Sequence, residues 1–85
     1  MSEVARITEK GIDAALIVLE RDGYLVEEPS ETNSVSNYVY LNKVCLKYIE
    51  DSKVKGDART QQEEKDGILI AYFQAYLQDT LAKIN

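Results

Sequence analysis

Residues 60–85 read TQQEEKDGILIAYFQAYLQDTLAKIN, and this stretch decides the fold. Thr60 and Glu63 stand at the spacing of a capping box, in which each side chain accepts a hydrogen bond from the other residue's backbone N–H. Apolar residues then recur every three or four positions, as on one face of a helix; they are Ile70, Phe73, Leu77, Leu81 and Ile84. The pattern predicts a long amphipathic helix, in which Gly67 marks either a kink or a close approach of another backbone.

The N-terminal segment has the same helical period and a clear end. Its apolar stripe follows the i, i+3, i+4, i+7 spacing and consists of Ile12, Ala15, Leu16 and Leu19. Gly23 suits the left-handed C-cap conformation, and Tyr24 after it can contact Leu19, as in a Schellman motif. We therefore expect this helix to end near Asp22, with either Ser2 or Thr8 as its N-cap.

The segment between these two is ambiguous. Residues 24–26 and 38–41 are rich in Tyr, Val and Leu and could pair as a short hairpin, although no two-residue turn signal separates them. The alternative is a helix that Ser34 or Ser36 caps and that runs to about Ser52. On that helix one face would carry Val35, Tyr38, Leu41 or Asn42, Cys45 and Ile49. We favour the helix.

These segments predict an all-α protein with one domain over residues 1–85. A chain of this length buries only ~60% of the surface that its unfolded state exposes, so broad apolar faces are hard to cover. We expect a three-helix bundle, or a helical hairpin that dimerisation completes; the alternative is an α+β fold with a short hairpin around residues 24–41. The residues expected at the self-association interface are Phe73, Tyr76, Leu77 and Leu81.

Composition argues against catalysis. The chain has no histidine and one cysteine, which removes the commonest general base, the commonest metal ligand and histidine-assisted nucleophiles. Residues 51–62 have the Asp and Gly spacing of an EF-hand loop, but Lys53 and Lys55 occupy ligand positions, so calcium binding is excluded. We expect no enzyme activity, metal or cofactor. Cys45 is expected to be a buried apolar residue.

The N-terminal residues and the lack of a long apolar run predict a protein outside the membrane, and the single cysteine indicates a reducing, cytoplasmic setting. The formal net charge is -5. Acidic residues concentrate around the end of the first helix; those expected to bind a partner are Glu20, Asp22, Glu27, Glu28 and Glu31. Tyr40 is the expected exposed aromatic of the same surface, because tyrosine is enriched at interfaces.

Two functional hypotheses follow. The first is a small acidic regulator or adaptor that binds, and thereby inhibits or escorts, a larger protein; its carboxylates could also imitate nucleic-acid phosphates. The second is a dimeric nucleic-acid-binding regulator that uses a basic patch, which comprises Lys43, Lys47, Lys53, Lys55 and Arg59. The interleaved acidic residues Glu50, Asp51 and Asp57 argue against the second.

Overall fold

A computed structural model describes residues 7–25 and 35–84. In these ranges the chain forms the helices α1 (Glu9–Arg21), α2 (Val35–Lys55) and α3 (Gln61–Ile84), with a short 3-10 turn at Gly56–Ala58 between the last two. No strand occurs in either range. The all-α prediction is therefore confirmed for this part of the chain.

The predicted ends of α1 are confirmed. Thr8 is the N-cap, and its Oγ1 accepts a hydrogen bond from the Gly11 N–H at 3.1 Å. At the other end Gly23 has a φ of +81°, and the N–H of Tyr24 donates to the Leu19 carbonyl at 2.8 Å while that of Gly23 donates to Glu20 at 3.1 Å. These two bonds make up the Schellman motif. The alternative cap, Ser2, lies outside the described residues.

The middle segment is helical where the structure describes it, so the strand alternative for residues 38–41 is wrong. One face of α2 packs against the core, and it carries Tyr38, Leu41, Cys45 and Tyr48. The free energy gained by burying this face outweighs the β-preference of the Tyr and Val residues. Ser36 lies inside the first turn of α2 and is not its cap; Ser34 and residues 26–34 as a whole lie outside the described ranges.

The predicted end of α2 is three residues early. The helix continues past Ser52 to Lys55, and the lysines Lys53 and Lys55 stand in its last turn, where positive charge is favourable for the helix dipole. It ends at Gly56, whose φ of +54° is incompatible with a right-handed helix.

The capping box of α3 is confirmed in both directions. Thr60 N–H donates to Glu63 Oε1 at 3.1 Å, and Glu63 N–H donates to Thr60 Oγ1 at 3.1 Å. The helix then runs unbroken through Gly67 to Ile84. A Cβ placed on Gly67 would meet only Ser52 Oγ of α2, at 3.5 Å. The close neighbour of this glycine is thus a side chain rather than a backbone.

Helices α2 and α3 pack as an antiparallel pair, since Asn42 bonds to Gln74 at 3.0 Å near one end and Lys55 pairs with Glu63 at the other. Helix α1 lies on one face of this pair. The core between them is apolar and consists of Ala15, Val18, Leu19, Leu41, Val44, Cys45, Tyr48, Ile70, Phe73 and Leu77.

Candidate functional site

A cluster of charged side chains joins the helices at the end of the bundle where α1 ends and α3 begins. Arg21 of α1 donates to Asp66 Oδ2 of α3 at 2.8 Å and to Asp22 Oδ1 at 3.1 Å. Asp66 is only 5% exposed, and its second oxygen accepts a hydrogen bond from Gln62 Nε2 at 2.9 Å. The bonds to Asp22 and Asp66 raise the pKa of Arg21 above its usual value. This buried carboxylate is therefore fully partnered and positions α1 on α3.

Two further contacts complete this junction. Tyr24 donates to Asp51 Oδ2 at 2.6 Å and packs edge-on against Tyr48 with 5.1 Å between the ring centroids. Partial burial and the bond to Asp51 raise the pKa of Tyr24 to about 12, and the same bond lowers the pKa of Asp51. The cleft that these groups line measures about 550 Å³.

The carboxylates of this cleft are hydrogen-bonded within the chain. Asp22 and Asp66 accept from Arg21, Asp51 accepts from Tyr24, and Glu63 accepts from Lys55 and from the Thr60 N–H. Within residues 7–25 and 35–84, no three of the His, Cys, Asp and Glu side chains cluster closely enough to hold a metal ion. The cleft stabilises the junction of the three helices.

The predicted basic patch is interleaved with carboxylates in three dimensions as well as in sequence. Lys47 pairs with Asp51 at 3.4 Å and Lys55 pairs with Glu63. Arg59 donates to Ser52 Oγ at 3.2 Å and to the Gly56 carbonyl at 3.0 Å. Nucleic-acid phosphates would need free positive charge to bind this patch. Much of that charge is neutralised by carboxylates or occupied in hydrogen bonds within the chain.

The predicted acidic residues are only partly within the described ranges. Glu20 and Asp22 are exposed at the C-terminal end of α1, and Asp22 is bonded to Arg21. Glu27, Glu28 and Glu31 lie outside the described residues.

The expectation that Tyr40 is the exposed aromatic is wrong. Tyr40 is half-buried against the core, whereas Tyr72 is 51% exposed. The position of Tyr40 relative to the apolar stripe of α2 does not decide how exposed its side chain is. The neighbouring helices cover more of the circumference of α2 than that stripe indicates.

Two of the residues predicted for self-association are used inside the chain. Phe73 and Leu77 are each 1% exposed and fill the centre of the core. With so little exposed surface they contribute almost nothing to an interface with a second copy, so this part of the prediction is wrong. Tyr76 and Leu81 are half-buried. The apolar stripe of α3 was correctly located, but α1 and α2 of the same chain cover it.

An apolar groove of about 440 Å³ lies between α1, the first half of α2 and the second half of α3. Phe73, Leu77 and Leu41 are buried at its base, Glu20 is exposed, and the other lining side chains are half-buried; the lining residues are Ile12, Leu16, Glu20, Leu25, Asn37, Tyr38, Leu41, Phe73, Tyr76 and Leu77. Glu20 is the single charged residue among them. Grooves of this kind, mainly apolar with a few polar groups, are typical binding sites.

Three carboxylates share one line of α1, and the last of them, Glu20, lines this groove. Glu9, Asp13 and Glu20 are spaced i, i+4 and i+11, which places them along one line of a helix, and all three are exposed. Of these three residues, only Glu20 was predicted from the sequence to bind a partner. The i, i+4, i+11 spacing can be read from the sequence and shows that the three carboxylates share one line of a helix. The sequence does not show the groove that Glu20 lines, because only the packing of three helices creates it.

No family model, no curated protein and no solved structure matches this chain. Among the described helices, none combines the length and apolar character that a membrane crossing requires.

Proposed function

We propose that the protein is a small regulator or adaptor that binds a basic amphipathic helix of a larger protein in the groove between its three helices. The observation that carries this proposal is the apolar groove with Glu20 in its lining and with Glu9 and Asp13 on the same line of α1 as Glu20, an acidic stripe. An amphipathic helix lays apolar side chains at i, i+3, i+4 and i+7 into such a groove. Its flanking Lys or Arg residues would then face the acidic stripe.

The charge of the protein supports this choice of partner. The net charge is -5, and Glu20 lies at the groove itself. An acidic surface attracts a basic segment before contact and raises the rate of association. The apolar contacts then retain the bound helix. Binding of this kind would inhibit or escort the larger protein by occupying one of its surfaces, in a reducing, cytoplasmic setting.

The alternative function, nucleic-acid binding through Lys43 to Arg59, has weaker support. Lys47 and Lys55 are paired with Asp51 and Glu63, which leaves few cations for phosphate contacts. Imitation of phosphates by Glu27, Glu28 and Glu31 remains a variant of the first proposal, and it concerns residues outside the described ranges.

Binding of a defined peptide tests the proposal. The probe is a fluorescently labelled helix of about 18 Leu and Lys residues with Leu at the i, i+3, i+4, i+7 positions, and its anisotropy is titrated with the protein. Glu20→Lys is expected to raise the Kd about fivefold to tenfold, which corresponds to ~1–1.4 kcal/mol. Leu16→Gln removes an apolar wall and is expected to weaken binding at any salt concentration, whereas added salt reduces the Glu20 effect.

The matched control is Glu50→Lys. It makes the same change in net charge at an exposed position of α2 that does not line the groove. If Glu50→Lys weakens binding as much as Glu20→Lys, attraction is general and the groove is not the site. Failure of the unmodified protein to bind the peptide contradicts the proposal as well.

Self-association is a second part of the proposal. The face of the α2 and α3 pair that is turned away from α1 has no helix of the same chain packed on it in the described ranges, and it carries exposed apolar residues. Because this face is opposite the groove, a dimer would leave both grooves open. Two linked grooves would favour partners that present two basic helices.

A further inference from the structure

We propose that α3 forms the interface of a twofold homodimer, in which it packs antiparallel against α3 of a second copy. This inference rests on the self-association proposed above and identifies the surface and register. The contact line runs along α3 with alternating steps of four and three residues, the spacing of a coiled-coil seam; its positions are Glu64, Ile68, Ala71, Ala75, Gln78 and Ala82.

Exposed apolar side chains mark this surface. Ile68 is 54% exposed and Tyr72 is 51% exposed, and both lie on α3. On α2, Ile49 and Lys53 border the same shallow depression as Ile68. Leu46, one turn before Ile49, is 48% exposed. Monomeric proteins seldom leave a continuous apolar strip of this kind in water.

Small residues at the centre permit two helices to approach closely. Ala71 and Ala75 occupy adjacent positions of the seam, and a twofold axis between them opposes Ala71 to the partner's Ala75. The same axis opposes Ile68 to the partner's Gln78. Larger residues at the centre would hold the helices apart, so the alanines define both the register and the interhelical distance.

The charges beside the seam are self-complementary, and this observation favours a second copy over an unrelated partner. Lys65 precedes Tyr72 by two helical turns and Asp79 follows it by two turns, all on one edge of the seam. An antiparallel twofold arrangement brings Lys65 to the partner's Asp79 twice and places the two Tyr72 rings together. Within the chain, Asp79 pairs with Lys83 at 3.2 Å, and the Asp79 side chain is 35% exposed.

The size of the face suits a stable dimer. Helix α3 has 24 residues, which is about 36 Å of helix, and two helices side by side are ~20 Å wide. With α2 beside α3, the face of the pair is about 700 Å² per copy, so a contact over the full face of both copies would bury ~1,400 Å², within the range of stable interfaces.

Sedimentation velocity of the full chain and of charge-swap variants tests the interface. The unmodified protein is expected to be dimeric at about 100 µM, and Lys65→Asp is expected to raise the dimer dissociation constant at least ~tenfold because two carboxylates then face each other. Asp79→Lys should have the same effect. The double variant Lys65→Asp/Asp79→Lys restores the pairs and should recover the dimer to within ~threefold of the original constant.

Ala71→Glu provides a second test, because it places a charge at the centre of the seam and should give a folded monomer. Its matched control is Ile17→Glu, an apolar-to-acidic change at a 65% exposed position of α1, which should leave the dimer intact. A monomeric unmodified protein, a dimer unaffected by Ala71→Glu, or a double charge swap that stays monomeric overturns the inference. Peptide binding by monomeric Ala71→Glu distinguishes failure of this interface from failure of the groove.

Discussion

At the scale of single residues, two glycines have opposite roles in the same fold. Gly23 adopts a φ of +81° at the end of α1, a conformation that costs other residues ~1–2 kcal/mol, and no neighbouring atom would touch an added Cβ. Gly67 lies inside α3 in ordinary helical conformation, where a Cβ would make an ordinary 3.5 Å contact with Ser52 Oγ. The first glycine is needed for its backbone, and the second weakens its helix.

Alanine at these two positions should therefore shift stability in opposite directions. Gly23→Ala is expected to lower the free energy of unfolding by about 1 kcal/mol, and Gly67→Ala to raise it by up to ~1 kcal/mol. Urea unfolding followed by circular dichroism measures both. Gly23→Asn, which tolerates the left-handed conformation, is the control and should lose less than Gly23→Ala. Shifts of the same sign for the two alanine variants would contradict this assignment.

At the scale of helices, side-chain caps define where α1 and α3 begin. Thr8 and Thr60 each accept a backbone hydrogen bond of 3.1 Å. Loss of such a cap typically costs ~1 kcal/mol, so Thr8→Ala and Thr60→Ala should lower the free energy of unfolding by similar amounts. Chemical denaturation of the two single variants and of the double variant checks this. The losses should add, because the caps belong to different helices; strong non-additivity would show that the two helix starts are coupled.

The start of α3 also makes stability sensitive to acid. The hydrogen bond from Lys55 and then that from the Thr60 N–H lower the pKa of Glu63 to about 2 from an ordinary value of 4.5. Folding thus favours the ionised carboxylate, so its contribution is complete above pH 4.5 and is lost as the pH falls toward 2. Unfolding midpoints measured between pH 6 and pH 2, about the range in which carboxylates titrate, should fall less steeply for Glu63→Gln. If the unfolding midpoint fell equally steeply with pH in the unmodified protein and in Glu63→Gln, Glu63 would not be a source of the acid sensitivity.

At the scale of the whole molecule, the single thiol reports on the integrity of the core. Cys45 is 0% exposed, and burial raises the pKa of its thiol to about 12. A buried, protonated thiol does not react until the bundle opens. The core is built from all three helices, so opening around Cys45 requires them to separate.

Labelling of Cys45 with a thiol reagent at neutral pH should therefore be slow and follow global stability. A change of 1 kcal/mol alters the open fraction about fivefold, so Gly23→Ala should accelerate labelling and Gly67→Ala should slow it by about that factor. The measurement is the release of the reagent's chromophore over time, with the urea-unfolded protein as the reference. Labelling of the folded protein at the rate of a free thiol would show that the site opens locally.

The sequence by itself determined the features that depend on residues within about four positions of one another. Thr60 and Glu63 bond through a single helical turn, and the N–H groups of Gly23 and Tyr24 close α1 on the carbonyls of Glu20 and Leu19, so the spacing alone predicted both motifs. The periodic apolar stripe of α3 likewise located three buried side chains, Ile70, Phe73 and Leu77.

Only the tertiary structure decided which helix covers the apolar face of each other helix. Arg21 and Asp66 are separated by 45 residues along the chain, and their contact depends on how α1 crosses α3. The same dependence explains why Phe73 lies in the chain's own core instead of at an interface, and why Tyr72 rather than Tyr40 is exposed. A helical period indicates an apolar face but not the helix that covers it, because that choice is set by the crossing and register of elements that are distant in sequence.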